Sequence, residues 1–469
     1  MGQWEESFIW LHIIFIKYQV PNLYIINIYF YRGTTWSFGT GWPPKVILTT
    51  TSNNFKISER LNDFLALIIS LDPDVIALQE LMSTEGRDMF LNNVLNAVQP
   101  GQWAATGFFP TCQSAVFYKP ARVTLTFSGV PIATAGPRDV LGVRLRLAGY
   151  LSKLAEFRLY SVHFQAGTAV TDSAIRRLEC TDLRNNMNAA TTLVTPNYLV
   201  GGDTNFYGSW EGGYIRLTED QADDDGRCFD PLPLTGTWNQ SAYSYYHTQS
   251  TCSSGCPLGW STGGLDDRFD LFLQSPSLQD AEGLDLISGG YDAFGNDGLH
   301  YNSSVNAGGY NYDVGMTVAT ALFYSSDHLP VTVTLQAPAK VATASQLAFG
   351  RVIVGAAAEQ PLTVANGALV PADELSYALV APAGFAAPAG SFAAQAGLPG
   401  NVHAVSMATA TVGVMGDTLR VSCDDPDSTS KPVLLSGTVL RHAVASLDSL
   451  AVLTETTLDF GTHADCRSP

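Results

Sequence analysis

Five apolar runs in this chain each carry a residue able to do chemistry. "VIALQE" ends at Glu80, and "SVHFQAG" sets His163 between Val162 and Phe164. "GGDTNF" brings Asp203 and Asn205, "SSDHLPV" brings Asp327 and His328, and "RFDLFL" holds Asp270 between Phe269 and Leu271. A carboxylate facing a core needs a paired cation or hydrogen bonds, and His328 could supply both to Asp270. Acids of this kind can hold Mg2+. With two histidines and an amide near phosphate oxygens, the set suits phosphodiester hydrolysis. Each residue also has a plain structural reading. Glu80 could open the next helix, "GDTN" could be an Asx-type turn, and His163 could be a satisfied core histidine.

These residues sit at the ends of readable elements. Residues 56–70, "FKISERLNDFLALII", have apolar positions at helical spacing, and "LDPDVIALQEL" (71–81) gives a turn, a buried strand and an acid. "AVFYKP" (115–120) and "VTLTFSG" (123–129) read as adjacent strands. "FRLYSVHF" (157–164) is another strand, followed by a helix over 171–188 with Thr171 or Asp172 as its cap. "NYLVGGDTNF" (197–206), "RFDLFLQS" (268–275) and "VTVTLQ" (331–336) complete the set. Strands mixed with a few helices, and polar residues at strand ends, predict an α/β domain with a site at one rim.

At 469 residues the chain is long enough for two or three domains. The balance is acidic, with 43 Asp and Glu against 25 Lys and Arg and a formal net charge of −18. That sign argues against a non-specific nucleic-acid coat, though a bound divalent cation inverts the field locally. Of seven cysteines only "CSSGC" is closely spaced, which leaves Cys252–Cys256, or either with Cys228, as candidate disulfides in an oxidising compartment. The apolar start, "FIWLHIIFIKYQVPNLYIINIYFY", is interrupted by Lys17, Gln19 and Pro21, and "MGQWEES" lacks the basic region of a signal peptide. Sparse lysine and long Gly/Asn/Ser/Thr/Tyr loops nevertheless read as exported.

Taken in order, "DPDVIALQE", "SVHFQAG", "GGDTNF", "GLDDRFDLFLQS" and "SSDHLPV" resemble the metal-dependent endonuclease/exonuclease/phosphatase superfamily over roughly 56–336. "TWNQSAYSYYHTQST" (237–251) and "YDAFGNDGLHYNSSVN" (291–306) are similar to loops of exported bacterial members. The resemblance implies a four-layer α/β/β/α sandwich, two sheets face to face with helices outside. It makes Glu80 a metal ligand, with Asp327 a further metal or outer carboxylate. Asp203 would orient or deprotonate water, and Asn205 would hold a phosphate oxygen. His328, its other nitrogen held by Asp270, would meet the scissile phosphate, and His163 would stabilise the transition state. Either Asp203 or His328 could be the general base.

The family's first strand ends in a metal-binding asparagine, for which Asn27 is the nearest candidate. Its acid orienting the first histidine is replaced here by Cys112, Gln113 and Ser114. The cofactor implied is Mg2+, with Ca2+ or Mn2+ able to serve. The substrate implied is a phosphodiester, nucleic acid first, with a sphingomyelinase-like lipid phosphodiesterase or a non-catalytic binding protein on a degenerate nuclease fold as alternatives.

The domain reading is therefore a catalytic unit over 1–336, its first 50 residues poorly matched, and a linker "APAKVATASQ" at 337–346. A smaller all-β sandwich over 347–455 resembles immunoglobulin-like modules found beside choice-of-anchor domains. "LAFG" (347–350) recurs as "LDFG" (458–461), so 456–469 reads as the start of a further repeat. The expected location is secreted or on a bacterial cell surface, with attachment through the C-terminal region and no obligate protein partner.

Overall fold

Strand parity explains the main part of this molecule. The structure, a computed structural model, describes residues 61–190, 195–257 and 259–446, the backbone of 45–49, and isolated residues beyond 446. One sheet contains β1 (Lys45–Thr49), β2 (Val75–Leu78), β3 (Ala104–Ala105) and β4 (Ala115–Tyr118). A second contains β5 (Val123–Ile132), β6 (Val140–Leu147), β7 (Glu156–His163), β8 (Tyr198–Asp203) and β9 (Asp270–Gln274) in that order. The chain then returns to the first sheet through β10 (Asp285–Leu286), β11 (Asp292–Ala293) and β12 (Val331–Gln336), where β10 and β11 pair with β12 and the order continues β12-β1-β2-β4-β3.

Alternate residues of each strand face opposite sides. Val75 and Ala77 of β2, Val331 and Val333 of β12, Phe157 and Leu159 of β7, Leu199 of β8 and Phe272 of β9 share one core between the sheets. The other parity of the first sheet, Ile76, Leu78 and Phe117, packs on α1 (Leu61–Leu71), on the helical stretch opened by α2 (Thr84–Met89), and on residues Val318 and Leu322. The other parity of the second sheet, Tyr160, Val162, Val200 and Leu271, packs on α3 (Val170–Asn188) and α4 (Gly212–Thr218). With α5 (Gly315–Ser325) supplying Val318 and Leu322, the layers run helix, sheet, sheet, helix. Because both faces are covered, all eight residues of β7 are buried.

Several sequence expectations need correction. "AVFYKP" and "VTLTFSG" are consecutive but not paired: β4 lies in the first sheet and β5 edges the second, so the turn between them changes sheets. The helix at 170–188 is capped not by Thr171 or Asp172 but from Ala169, whose N–H donates to Asp172 Oδ2 at 3.0 Å. Asn27 lies outside the described residues. The strand parallel to β2 is Lys45–Thr49, with Thr49 in register with Leu78. The "LDFG" repeat and Cys466 also lie outside the described residues.

The stretch read as a linker is packed. Ala337 and Ala339 are buried, and Val341–Thr343 is already a strand of the C-terminal sandwich. That sandwich closes Val341–Thr343, Glu359–Asn366, Asn401–Met407 and Phe385–Ala386 over a five-stranded sheet, around a core that includes Leu362, Val405, Leu419 and Val433. Tyr150 donates to Pro338 O at 2.5 Å, and Leu151 and Ser152 N–H donate to Asp427 at 2.8 and 2.7 Å. A disulfide joins Cys252 to Cys256, while Cys112, Cys180, Cys228 and Cys423 are free thiols. No helix among the described residues is long and apolar enough to cross a membrane.

Candidate active site

Register sets the first part of the site. β7 and β8 run parallel with His163 opposite Asp203, and β9 runs antiparallel with Asp270 opposite Asp203. Residues in register point to the same face, so His163, Asp203 and Asp270 form a row across three strands. Their parity is that of Phe157, Leu199 and Phe272, so the row faces the gap between the sheets where it opens at the rim. The first sheet brings Glu80, two residues past β2, and Asp327 and His328, just before the antiparallel β12, to the same end.

The second glycine of "GGDTNF" has a steric cause. Gly202 has φ +142, and a Cβ there would lie 2.0 Å from Val162 O. Glu80 (φ 57) and Asn205 (φ 52) hold left-handed backbone without being glycine. Such conformations cost of order 1–3 kcal/mol and concentrate at functional sites.

Distances define what each group can do. His328 Nδ1 is 2.6 Å from Asp270 Oδ2, and both residues are buried. A carboxylate only accepts, so Nδ1 carries the proton and Nε2 is left for chemistry. His163 Nε2 lies 3.5 Å from Asp203 Oδ2 and 3.9 Å from Glu80 Oε1, while its Nδ1 is buried without a hydrogen-bond partner among the described residues. Asp203 Oδ1 accepts from Asn205 N at 2.9 Å, and Asn205 Nδ2 donates to Phe164 O at 3.2 Å. Asp327 Oδ2 accepts from Ser261 N at 2.9 Å.

Burial and mutual charge separate the acids from the bases. Burial pushes the Glu80 carboxyl up to about 8, against the charge of His328 and with those of Asp327 and Asp203. Burial raises Asp203 as well, in part offset by His328. Burial holds His163 well below its ordinary value, with Arg138 and His328 acting the same way. The contacts of His163 with Asp203 and Glu80 are therefore approaches of a neutral ring, not ion pairs. Burial opposes charge on His328, but the charge and hydrogen bond of Asp270, with Asp203 and Asp327 behind them, lift it to about 10.

A divalent cation fits Glu80, whose Oε2 is buried without a hydrogen-bond partner among the described residues. Mg2+ is commonly held by one or two carboxylates, with waters and substrate phosphates filling its shell. Among the described residues no group of three or more His, Cys, Asp or Glu side chains forms a complete metal cage.

Some of the supporting residues were not singled out from the sequence. Gln79 Nε2 donates to Ser161 Oγ at 2.7 Å, and Ser114 Oγ lies 2.9 Å from the same hydroxyl, so the two sheets are bridged just inside the site. Ser114 thus meets Ser161 and not His163. Behind His163, Arg176 of α3 donates to Gln165 O and Gly167 O at 2.9 and 2.8 Å, and Glu179 accepts from Gln165 N at 2.9 Å. Gln249 touches His328 Nε2 through its side chain. The parity of Gln79 and Ser161 was a usable signal. Nothing local in "HTQST" marks Gln249.

No family model and no curated protein matches the chain. Among solved structures, the human Nocturnin catalytic domain with bound sulfate is similar at 16% identity and TM-score 0.40, over 63% of this chain and 94% of that one. TDP2 of D. rerio, complexed with a single-strand DNA product, is similar at 14% identity and TM-score 0.40, over 62% and 98%. An endonuclease/exonuclease/phosphatase from Beutenbergia cavernae is similar at 12% identity and TM-score 0.36, over 83% and 97%. Likeness of this degree adds nothing to the layers and the row described above.

Proposed function

We propose that the protein is a metal-assisted phosphodiester hydrolase of the endonuclease/exonuclease/phosphatase type. The observation that carries this reading is the row His163–Asp203–Asp270, with His328 on Asp270 and Glu80 across the gap. Asp203, raised by burial, is placed to take a proton from water, so it is the general base of this reading. His328, kept charged by Asp270, offers Nε2–H to a phosphoryl oxygen as negative charge grows there. His163, neutral and with Nδ1 unpartnered among the described residues, can donate to a second oxygen. Asn205 holds the loop after His163 through Phe164 O and keeps a second amide hydrogen for substrate. A divalent cation at Glu80, Mg2+ first, would supply Lewis-acid polarisation of the phosphate. The Cys252–Cys256 disulfide supports the reading of an exported enzyme.

Nucleic acid is one substrate the chemistry would serve. One observation favours the second reading, a phosphodiester in a neutral or zwitterionic lipid. From Cys228 to Ala339 the only Lys or Arg is Arg268, against eleven Asp and Glu. Arg268 is buried and committed to Asp230 at 2.8 Å, while Tyr245, Leu299 and Tyr312 stand exposed. Loops of this kind give a polyanion nothing to neutralise. The full chain should be assayed with Mg2+ or EDTA on plasmid, single-stranded DNA, RNA, sphingomyelin vesicles and bis-p-nitrophenyl phosphate. Turnover abolished by EDTA is expected. Activity undiminished in EDTA would overturn the metal-assisted reading, and no turnover on any substrate would leave a binding protein as the better account.

A further inference from the structure

His328 has one ring nitrogen left for substrate, and that nitrogen is covered. Nδ1 is committed to Asp270, and the carboxamide of Gln249 is in contact with Nε2. A carboxamide turned about its last bond offers either an oxygen to an N–H or an N–H to a lone pair, so the contact suits either state of the ring. Gln249 is partly exposed, whereas His328 is 6% exposed, so the amide lies on the solvent side.

The main chain beneath this contact is fixed. Gln249 N donates to Asp267 O at 3.1 Å, and Gln249 O accepts from Asp266 N and Asp267 N at 2.9 and 3.1 Å. On either side, Leu329 N donates to Thr248 O at 2.8 Å and Thr251 N to Asp327 O at 3.1 Å. Nε2 can therefore be uncovered only by rotation of the Gln249 side chain. A second partner is within reach, because the same amide atom lies 3.4 Å from Ser261 Oγ. Ser261 is itself anchored, its N–H donating to Asp327 Oδ2.

We propose that Gln249 is a positioning residue that occupies His328 Nε2 in the free protein and yields it to an oxygen of the phosphodiester by turning toward Ser261. The proposal rests on the reading of His328 as the phosphate-facing histidine. Gln249 then competes with substrate and sets how tightly phosphate groups bind before any bond is broken. Removing it relieves the competition, and replacing it by a carboxylate strengthens it.

The test uses the full chain, with KM and kcat on bis-p-nitrophenyl phosphate and calorimetric binding of inorganic phosphate. Gln249→Ala should tighten phosphate binding and lower KM about five- to tenfold, roughly the worth of one displaced hydrogen bond, with a much smaller change in kcat. Gln249→Asn, one methylene too short to reach Nε2, should behave like the alanine variant and serves if that variant fails to fold. Gln249→Glu should reverse the sign, weakening phosphate binding and raising KM. Unchanged or weaker phosphate binding in both Gln249→Ala and Gln249→Asn overturns the proposal. His328→Ala separates the two levels. If it keeps full turnover, the reading of the site has failed. If it is inactive while the Gln249 variants bind phosphate like the parent, only the role of Gln249 has failed.

Discussion

Glu179 shows at the level of one residue how the site's surroundings are held at a cost. It is fully buried, its Oε2 accepts from Gln165 N behind His163, and its Oε1 has no hydrogen-bond partner among the described residues. Burial, opposed by that hydrogen bond and by Arg138 and Arg176, pushes its carboxyl from 4.5 up to about 7. The folded value lies above the unfolded one, so the stability linked to this proton is whole below about 4.5 and lost as pH rises through about 7. At pH 8 the loss is on the order of 3 kcal/mol. Glu179→Gln should therefore lose less stability than the parent between pH 4 and pH 8. Denaturant titrations of both proteins at the two pH values check this, and identical pH slopes would show that Glu179 is not the titrating group.

At the scale of elements, the close contact of β7 and β8 controls the row of catalytic candidates. Gly202→Ala would force a Cβ against Val162 O in a conformation that L side chains avoid. We expect a loss of several kcal/mol, read as a large fall in Tm or as insoluble protein, because backbone cannot move aside as a flexible side chain can. A variant as stable as the parent would mean that the strands do not meet as described. Much of this level is legible in the sequence. Each of "VIALQE", "SVHF", "GGD" and "RFDLFLQ" is a buried run with a polar residue at or near an end; His163 and Asp270 stand out because each interrupts apolar neighbours, and Asp203 because it follows a glycine pair. What the runs do not contain is their pairing. "AVFY" and "VTLTF" are both good strands, but only the turn between them decides that they part into two sheets. The five-residue run "KVILT" lies parallel to β2, a partner that its apolarity alone does not name. "APAKVATASQ" reads as a linker because its side chains are small. Its packing rests on Tyr150, which bonds Pro338 O, and Asp427, which pairs with Lys340, both far away in sequence. Gln249 is unreadable for the same reason, as its meaning lies in a contact 79 residues away.

At the scale of the molecule, the C-terminal sandwich meets the α/β layers through bonds that avoid the rim. They include Tyr150 to Pro338, Asp427 with Leu151 and Ser152, Lys340 Nζ to Gly149 O, and Gly283 N to Asp373 at 2.7 Å. A chain ended after Gln336 loses these but keeps every candidate site residue. It should melt several degrees lower, at about 2–4 °C per kcal/mol, and keep kcat on bis-p-nitrophenyl phosphate within about threefold. A folded truncation without turnover would make the sandwich part of the catalytic unit.

On the proposed reading, Asp270 and His328 act as a unit on a phosphodiester. The measurement is kcat/KM of the full chain on bis-p-nitrophenyl phosphate with Mg2+, for the parent, Asp270→Asn, His328→Ala and the double variant. Each single substitution should cost about 10²–10⁴-fold, and the double no more than a few-fold beyond the worse single, because one oriented imidazole is removed in all three. Losses that multiply across the two positions, or a His328→Ala protein that turns over like the parent, would contradict it.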